Sequence, residues 1–339
     1  MPMNLSSRAE PIKLGILGAS GLVGQQMLRL VMQRRWPLGE LRLIASAKHA
    51  GQPWEVEGQR GVYLEASGQA FRGLDLLLSS AGGQVSLKWL PEVASAGVLA
   101  IDNTSAYRED PGCPLVVPEV NAHELDSMEL GQGGIIANPN CSTIQLVVVL
   151  APLLREFGLA QVVVSTYQSL SGAGTDALDA FEDGTRRAMA GETRDLPASV
   201  LDVLPQIGAL DEAGHSEEER KMMTESSRIL GTEISLDVTC VRVPVRRGHG
   251  ESVWIETREE ASLAQVLDLL RSAPGICLAE GEDHPTQAGT AGNLDVHVGR
   301  VRGVSGSRKR FQLWIVTDNL LKGAAWNAVQ IAESLFPRG

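Results

Sequence analysis

The chain has 339 residues, of which 43% are hydrophobic and 21% are charged, and its formal net charge is −11. This length allows two domains, each with its own hydrophobic core. The acidic balance, without a long basic run, argues against binding to nucleic acid or to anionic membranes, which needs clustered lysine and arginine. We expect neither a membrane span nor a secretory signal, and therefore a cytoplasmic protein.

The first 140 residues alternate between apolar strands and helices. Ile12–Leu17 has the composition of a short buried strand, and a helical pattern follows it to about Gln33. Further strands are predicted over residues 41–45, 74–79 and 98–102, with a helix over residues 85–96. Such alternation predicts an α/β fold that begins with a doubly wound parallel sheet.

A glycine-rich turn joins the first strand to the first helix. Gly18, Gly21 and Gly24 have a GxxGxxG spacing. Such a turn lets backbone N–H groups approach a phosphate closely, and the helix N-terminus adds partial positive charge. The turn therefore favours a dinucleotide site, although a tight strand–helix connection without a ligand would need similar glycines.

The end of the second strand indicates which dinucleotide would bind. NAD sites usually place Asp or Glu there to accept hydrogen bonds from the ribose. This chain has Ser46 and Lys48-His49 in that region instead. A hydroxyl and a cation suit a 2′-phosphate, so we predict NADP. The alternative is that Lys48 is a solvated loop cation.

Four cysteines are widely spaced, and none forms a CxxC pair, which argues against a disulfide framework and against a metal site. Cys141 stands out, because Asn138-Pro139-Asn140 precedes it and an apolar helical run over residues 144–157 follows. Pro139 disfavours helix at Asn138, so Cys141 lies at or near a helix start, where a thiolate is stabilised. Unpaired N–H groups there would also bind an oxyanion. The alternative is a buried structural cysteine.

The second half of the chain has longer strand candidates, rich in β-branched residues. They cover residues 161–167, 233–245, 252–257 and 310–317, and a helix is predicted over residues 263–271. This pattern predicts a mixed or antiparallel sheet with helices on one face. The last helical pattern, residues 323–336, is placed back on the first domain.

Two residues in this half of the chain are candidate site residues. Arg242 is in phase with the apolar face of its strand, and a buried arginine needs an anionic partner, either a ligand or an internal carboxylate. His249 lies in the loop that follows and is a candidate general base for the thiol. A lone loop histidine, however, often has no function.

Seven stretches, in order along the chain, together resemble the aspartate-semialdehyde dehydrogenase family. They are residues 18–24, 102–108, 116–121, 140–143, 167–174, 242–249 and 318–325. The resemblance implies a Rossmann-type NADP-binding domain over residues 1–141, completed by a C-terminal helix within residues 320–339. It also implies an α+β catalytic and dimerisation domain with a mixed sheet over residues 142–319.

The resemblance implies a reaction as well. The family reduces L-4-aspartyl phosphate with NADPH to L-aspartate 4-semialdehyde and phosphate, on the route to lysine, threonine and methionine. A cysteine thiolate displaces phosphate, and hydride transfer then releases the aldehyde from the thioester. The glycine turn and the start of the Cys141 helix would meet between the two domains. The family suggests a homodimer or a homotetramer.

Residue roles follow from the same resemblance. Cys141 would be the nucleophile, Gln168 would orient the acyl intermediate, and His249 would be the acid/base partner. Five other residues would bind the substrate. Arg242 would clamp its α-carboxylate and Glu218 would pair with its ammonium group. Arg108 and Lys221 would bind the phosphate, and Asn140 would lie beside them. NADP would contact Gly18, Ser20, Gly21, Leu22, Val23, Gly24, Ser46, Lys48, Ser80, Ala81, Gly82, Ser171, Gly172 and Asn319.

Three differences from the family pattern and two alternatives stand beside this interpretation. Lys48-His49 replaces a common Arg-Ser pair, the segment between Gly174 and Leu204 is shorter than in many relatives, and residues 1–10 have no counterpart. The alternatives are an N-acetyl-γ-glutamyl-phosphate reductase, which uses the same chemistry, and a non-catalytic paralogue that acts as a binding or structural protein.

Overall fold

The computed structural model describes residues 11–129, 131–192, 194–281 and 283–335. It divides into two compact units: the first ends at Pro139 and resumes at Ala324, and the second is Asn140–Gly323. The boundaries predicted after residue 141 and at residue 320 lie a few residues away from these. The predicted extension over residues 1–10 lies outside the described residues.

A six-stranded parallel sheet with the order β5-β2-β1-β6-β7-β8 forms the centre of the first unit. Its strands are β1 (Ile12–Leu17), β2 (Leu38–Ala45), β5 (Leu64–Glu65), β6 (Leu76–Ser79), β7 (Leu99–Asp102) and β8 (Gly134–Ala137), and β3 (Pro53–Val56) pairs with β4 (Gln59–Val62) in a separate hairpin. Strands β6 and β7 are buried throughout, which explains their continuous apolar sequence. The strand order reverses at β1, the position at which such sheets bind ligands.

The helices of the first unit are α1 (Leu22–Gln33), α2 (Gly68–Phe71), α3 (Gly83–Ser95), α4 (Pro118–Asn121) and the last helix of the chain, α11 (Trp326–Leu335). Helix α11 packs against α1, α4 and β7. Its buried Glu333 accepts hydrogen bonds from Arg34, with Nη2 at 2.6 Å, and from the Trp36 indole at 3.0 Å. These bonds attach the end of the chain to the first unit.

The second unit contains a mixed sheet with the order β10-β9-β11-β14-β13-β12. The strands are β9 (Leu159–Gln168), β10 (Leu236–Arg242), β11 (His249–Thr257), β12 (Ile276–Leu278), β13 (Val296–Gly303) and β14 (Arg310–Thr317). The helices are α5 (Cys141–Phe157), α6 (Thr175–Met189), α7 (Ala198–Leu201), α8 (Glu217–Leu230), α9 (Leu263–Ser272) and α10 (Gln287–Thr290). Helix α5 packs on β9, β11, β13 and β14 and contacts α8 and α9. It is therefore enclosed, which explains why it is apolar on nearly every side.

The predicted fold class is confirmed, with one strand corrected. The strand predicted over residues 233–245 is too long, since β10 is Leu236–Arg242. Val243 still donates its N–H to the Gln168 carbonyl at 2.9 Å, but Pro244 has no N–H with which to continue the ladder. The register of β10 and β9 pairs Arg242 with Gln168, which brings two predicted site residues side by side.

Candidate active site

Cys141 is the first residue of α5, and Asn140 is the N-cap of that helix. The Asn140 side-chain oxygen accepts hydrogen bonds from the N–H groups of Ser142 at 2.9 Å and Thr143 at 3.2 Å. Such a cap stabilises a helix by about 1 kcal/mol. The Cys141 thiol is partly exposed, in the first helical turn, where the partial positive charge of the helix favours a thiolate.

The same cap corrects one prediction. An oxyanion site built from unpaired N–H groups at the start of this helix is wrong for Ser142 and Thr143, because Asn140 already occupies both donors. A helix with a side-chain cap has fewer unpaired N–H groups than the sequence alone suggests. The N–H groups of Ser142 and Thr143 are therefore not available to a developing negative charge.

Helix α8 brings three predicted substrate-binding residues together. The Asn140 side-chain amide donates to a Glu218 carboxylate oxygen at 2.8 Å, and Lys221 Nζ lies 3.7 Å from the other oxygen. The backbone N–H of Asn140 donates to Glu225, also on α8, at 2.6 Å. Glu218 is thus a buried carboxylate directly beside the residue that precedes Cys141. Glu218 and Lys221 are three residues apart on α8 and lie on the same face of that helix.

Three sheet residues form a row on the inner face of the second unit. Arg242 pairs with Gln168 across β10 and β9, and His249 begins β11 one residue before Gly250, which pairs with Tyr167. Gln168 and His249 are fully or almost fully buried. The row therefore places the predicted orienting, acid/base and carboxylate-binding residues on neighbouring strands.

Arg242 has no carboxylate within ion-pair distance among the residues described. Its Nη1 donates to the Ser169 carbonyl at 2.9 Å. Burial lowers the pKa of Arg242, while the charges of Cys141 and Glu218 act to raise it. The guanidinium thus lies within electrostatic reach of the thiol, and a buried cation in this state is suited to an anionic ligand.

His249 is held by the residue after Gln168. The backbone N–H of Ser169 donates to His249 Nδ1 at 3.1 Å, and the Ser169 hydroxyl lies 3.2 Å from the same nitrogen. Burial, followed by the charge of Arg242, lowers the pKa of His249 to about 3. The imidazole is therefore neutral throughout the physiological range.

Asn319 fixes the loop over this histidine. Its side-chain oxygen accepts hydrogen bonds from the Ser171 hydroxyl at 3.0 Å, the Ser169 hydroxyl at 3.2 Å and the Gly248 N–H at 2.9 Å. Ser171, Gly172 and Asn319, all predicted to contact the cofactor, are thereby brought together. Sequence reasoning missed the role of Ser169, although it lies within the stretch 167–174 that supports the family resemblance.

Two glycines let backbone approach the reactive side chains. A Cβ atom on Gly172 would lie 3.0 Å from His249 Cε1 and Nε2 and 3.1 Å from Arg242 Nη1. On Gly323 it would lie 2.9 Å from the Cys141 Cβ. Any side chain at these positions would occupy space beside the thiol, the imidazole and the guanidinium.

The glycine turn of the first unit follows β1 and is shaped by close backbone contacts. Gly18 has φ +82°, and a Cβ there would lie 2.4 Å from the Ser80 carbonyl oxygen. A Cβ on Gly24 would lie 2.3 Å from the Gly18 carbonyl oxygen, whereas on Gly21 its nearest neighbour would be 3.4 Å away. Gly18 and Gly24 are thus required by the turn itself, while Gly21 leaves open backbone that a phosphate can approach.

The remaining predicted cofactor residues surround this turn. Ser20 precedes α1, Leu22 and Val23 begin that helix, and Ala81 and Gly82 follow Ser80. After β2, the chain turns so that the Ser46 carbonyl accepts from the N–H groups of His49 and Ala50, and Lys48 is exposed. The open backbone at Gly21 and the exposed cation Lys48 are compatible with the predicted dinucleotide site.

Arg108, the last predicted substrate-binding residue, is buried in the first unit. Its guanidinium donates to the Asn138 carbonyl and to the Asn103 carbonyl, each at 2.9 Å. These two backbone carbonyls hold the Arg108 side chain in one orientation.

Two family models match the chain: "Semialdehyde dehydrogenase, NAD binding domain" over residues 13–128 and "Semialdehyde dehydrogenase, dimerisation domain" over residues 150–322. The Bacillus subtilis aspartate-semialdehyde dehydrogenase is 41% identical, with 96% of this chain and 97% of the relative covered. The chain belongs to the aspartate-semialdehyde dehydrogenase family. A Vibrio cholerae structure of aspartate semialdehyde dehydrogenase II complexed with ASA superposes with a TM-score of 0.90, at 40% identity over 96% of this chain and 98% of that one.

A third relative bears on the cofactor. The Candida albicans aspartate semialdehyde dehydrogenase with NADP has a TM-score of 0.73 to this chain, at 25% identity, over 96% of this chain and 98% of that one. The predicted family, its aspartate-semialdehyde dehydrogenase function, the oxidoreductase class and NADP are confirmed. The relatives favour this function over the N-acetyl-γ-glutamyl-phosphate alternative. A small-molecule substrate and self-association are supported as well.

Among the described residues, no helix is long and apolar enough to cross a membrane. Nor does that part of the chain contain a group of three His, Cys, Asp or Glu side chains able to hold a metal ion.

Proposed function

We propose that this chain reduces L-4-aspartyl phosphate to L-aspartate 4-semialdehyde, with Cys141 as the nucleophile that carries the acyl group as a thioester. The observation that supports this most directly is the position of Cys141 at the capped start of α5, within the electrostatic reach of Arg242. A thiolate at a helix N-terminus beside a guanidinium is a stabilised nucleophile.

The substrate is held by charges of both signs. Arg242 binds the α-carboxylate, because a guanidinium offers a fork of donors and this one has no internal carboxylate partner among the described residues. Glu218 is the anion for the substrate ammonium, and Lys221 and Arg108 supply positive charge for the phosphate. Gln168, next to Arg242 in the sheet, orients the acyl group through its carboxamide.

The first unit holds the cofactor and the second carries out catalysis and dimerisation. The glycine turn over residues 18–24, the loop over residues 80–82 and the loop over residues 46–48 surround NADP in this proposal, together with Ser171, Gly172 and Asn319. When bound, NADPH supplies the hydride that converts the thioester to the aldehyde. The chain's own residues bind the substrate, orient its carbonyl and stabilise the charge that develops on it.

The deciding experiment is phosphate-dependent reduction of NADP with aspartate semialdehyde, run in parallel with NAD. We expect turnover with NADP that requires phosphate, and we expect Cys141→Ala to abolish it while NADP binding, followed by fluorescence, stays intact. Cys277→Ala is the matched control, because Cys277 is an exposed thiol of the same unit. An active Cys141→Ala enzyme would exclude the thioester route.

For the assembly we propose a homodimer, or a homotetramer built from two such dimers, in the cytoplasm. The outer face of the second unit's sheet supports this, because it exposes Val163 and Tyr167 on β9 to solvent, at 38% and 37%. The Tyr167 ring also contacts Trp314 of β14, with centroids 5.4 Å apart. An aromatic and aliphatic sheet face of this kind is suited to a second copy of itself.

A further inference from the structure

We infer that Glu219 fixes the spacing between Glu218 and Arg242, and thereby selects substrates that carry an ammonium and a carboxylate on the same carbon. The inference rests on the proposed function, in which Glu218 binds the α-ammonium and Arg242 binds the α-carboxylate. Glu219 itself is assigned no contact with the substrate. It is a positioning residue that acts through helix α8 and strand β10.

The α-amino acid end of the substrate imposes a strict geometry on its binding residues. Its ammonium and its carboxylate are bonded to one carbon, so their separation cannot adjust to the protein. Glu218 and Arg242 therefore have to stand at one matching distance, and their contacts weaken steeply when that distance is lost. The two residues belong to different elements, so the position of α8 relative to β10 decides whether both contacts form.

Glu219 joins these two elements directly. Its Oε1 accepts a hydrogen bond from the Cys240 N–H at 2.9 Å, and its Oε2 accepts one from the Ser216 N–H at 2.7 Å. Cys240 lies two residues before Arg242 in the chain, and Glu219 directly follows the other substrate-binding residue. One buried carboxylate thus ties the start of the helix to the strand, close to a substrate-binding residue on each side.

The bond is made on the open edge of the sheet. Strand β10 is an edge strand, because the sheet order begins β10-β9-β11. Arg242 exchanges N–H and carbonyl hydrogen bonds with Leu204, each at 2.9 Å, so its backbone groups face away from β9. Cys240, two residues earlier, directs its N–H to the same side. A side chain of α8 therefore holds the strand without competing with the strand's partner in the sheet.

Two neighbouring faces of α8 have different contacts. Met222, about one turn after Glu219, also packs on Cys240, with the two sulfur atoms 3.6 Å apart. Glu218, on the adjacent face, accepts a hydrogen bond from the Asn140 side-chain amide at 2.8 Å. The face with Glu219 is therefore attached to β10, while the face with Glu218 is turned toward the residue that precedes the nucleophile.

A second link between α8 and β10 is less direct. The Ile207 carbonyl accepts a hydrogen bond from the Glu218 N–H at 3.3 Å, and Leu204 pairs with β10. The chain between these two contacts belongs to no helix or strand, so this link depends on the backbone angles of a loop. The Glu219 side chain crosses the same gap by itself and is bonded at both oxygens. Glu219 is therefore the residue through which the spacing can be tested.

The test compares two aldehydes in the phosphate- and NADP-dependent assay with the full-length protein. Aspartate semialdehyde carries both charged groups, whereas succinate semialdehyde has the same carbon chain and carboxylate but no ammonium. We expect Glu219→Ala to raise KM for aspartate semialdehyde about tenfold or more with kcat little changed, because the two contacts no longer form together. We expect kcat/KM for succinate semialdehyde to stay within about threefold of the wild type, since that substrate needs no matched spacing.

Ser216→Ala is the matched control. The Ser216 hydroxyl accepts a hydrogen bond from the Glu219 N–H, so this variant loses one bond of the capping box and keeps both bonds to the Glu219 carboxylate. We expect its KM for aspartate semialdehyde to stay within about threefold of the wild type. If Glu219→Ala fails to fold, Glu219→Asp decides, because its carboxylate is one methylene shorter and cannot reach both N–H groups unless α8 moves.

A wild-type KM for aspartate semialdehyde in Glu219→Ala, or in Glu219→Asp, would overturn the inference. So would an equal rise of KM in Ser216→Ala, which would trace the effect to the helix cap. A wild-type protein without phosphate-dependent turnover of aspartate semialdehyde would remove the proposed function and the inference with it. The failure of the inference alone is thus distinguishable from the failure of the proposed function.

Discussion

Gly172 shows how a single missing side chain determines the geometry around the reactive groups. It follows the buried Ser171, whose hydroxyl donates to the Asn319 side-chain oxygen, so the backbone beside it cannot move away freely. The imidazole of His249 and the guanidinium of Arg242 both lie at about 3 Å from the position that a Gly172 Cβ would take. The absence of a side chain at Gly172 therefore leaves room for the imidazole, the guanidinium and a ligand.

We expect Gly172→Ala to lower kcat/KM by about tenfold or more while the protein stays folded. The added methyl would press on His249 and Arg242, and no left-handed backbone angle is involved, so the effect is steric. Gly303→Ala is the control, because a Cβ there meets nothing within 4 Å. Steady-state kinetics and Tm measure the two effects, and wild-type kinetics in Gly172→Ala would contradict the packing argument.

Features of single residues could be predicted from the sequence where they depend on residues that are close together in the chain. Pro139 and the apolar run after Cys141 lie close together in the chain, so the helix start could be predicted. The role of Ser169 could not, because it depends on the register of β9 between β10 and β11, which joins residues about 80 positions apart. The N–H groups of Ser142 and Thr143 are predicted to be unpaired, and this is wrong because the Asn140 side chain accepts a hydrogen bond from each of them.

The turn between β1 and α1 contains glycines of two kinds. Some have no room for a Cβ atom and are required by the fold, whereas Gly21 has that room and is expected to matter for ligand binding. Gly18→Ala would place a Cβ at 2.4 Å from the Ser80 oxygen and at φ +82°, whereas Gly21→Ala has 3.4 Å of room. We therefore expect Gly18→Ala to lower Tm strongly. We expect Gly21→Ala to keep Tm but weaken NADP binding about tenfold, because a phosphate approaches the bare backbone there. Calorimetry and NADP titration test this pair, and unchanged NADP affinity in Gly21→Ala would exclude close phosphate approach.

Strand β11 carries a second element-scale feature, a buried carboxyl two residues after His249. Glu251 is fully buried, and neither of its oxygens has a hydrogen-bond partner among the described residues. Burial raises the pKa of Glu251 from 4.5 to about 8, and the facing Gln145 of α5, in a contact too poor for a full hydrogen bond, acts to lower it. The folded protein therefore keeps this carboxyl protonated at neutral pH.

A raised folded-state pKa makes stability depend on pH in a known direction. The contribution of Glu251 is fully present below about pH 4.5 and is lost as the pH rises through about 8, because only the unfolded chain ionises freely in that window. Glu251→Gln cannot ionise, so we expect its Tm to exceed that of the wild type increasingly between pH 5 and 8, by on the order of 5 °C at the upper end. The exposed Glu55→Gln is the control. A Tm difference independent of pH would show that Glu251 is ionised in the fold.

At the scale of the whole molecule, alternation and glycine spacing were enough to predict two units and the type of sheet in each. The parallel first sheet follows from its strand–helix alternation, since each crossover needs a helix. The order of the second sheet was beyond reach, because β9 pairs with β10 and β11, strands that follow only after long helical segments. The residues on the solvent-facing side of this sheet, which bear on assembly, could not be predicted for the same reason.

Assembly can be tested on that side of the sheet. Val163 of β9 has Trp254 of β11 as its register partner, and by strand alternation it lies on the same sheet face as Tyr167, whose ring contacts Trp314. Burying a lysine ammonium in a self-paired face would leave two like charges close together without a counter-ion, at a cost of several kcal/mol. We therefore expect Val163→Lys to shift the protein from dimer to monomer in sedimentation velocity. Val62→Lys, at a valine that is 54% exposed in the first unit, should leave the assembly unchanged. A dimeric Val163→Lys protein would place the interface elsewhere on the molecule.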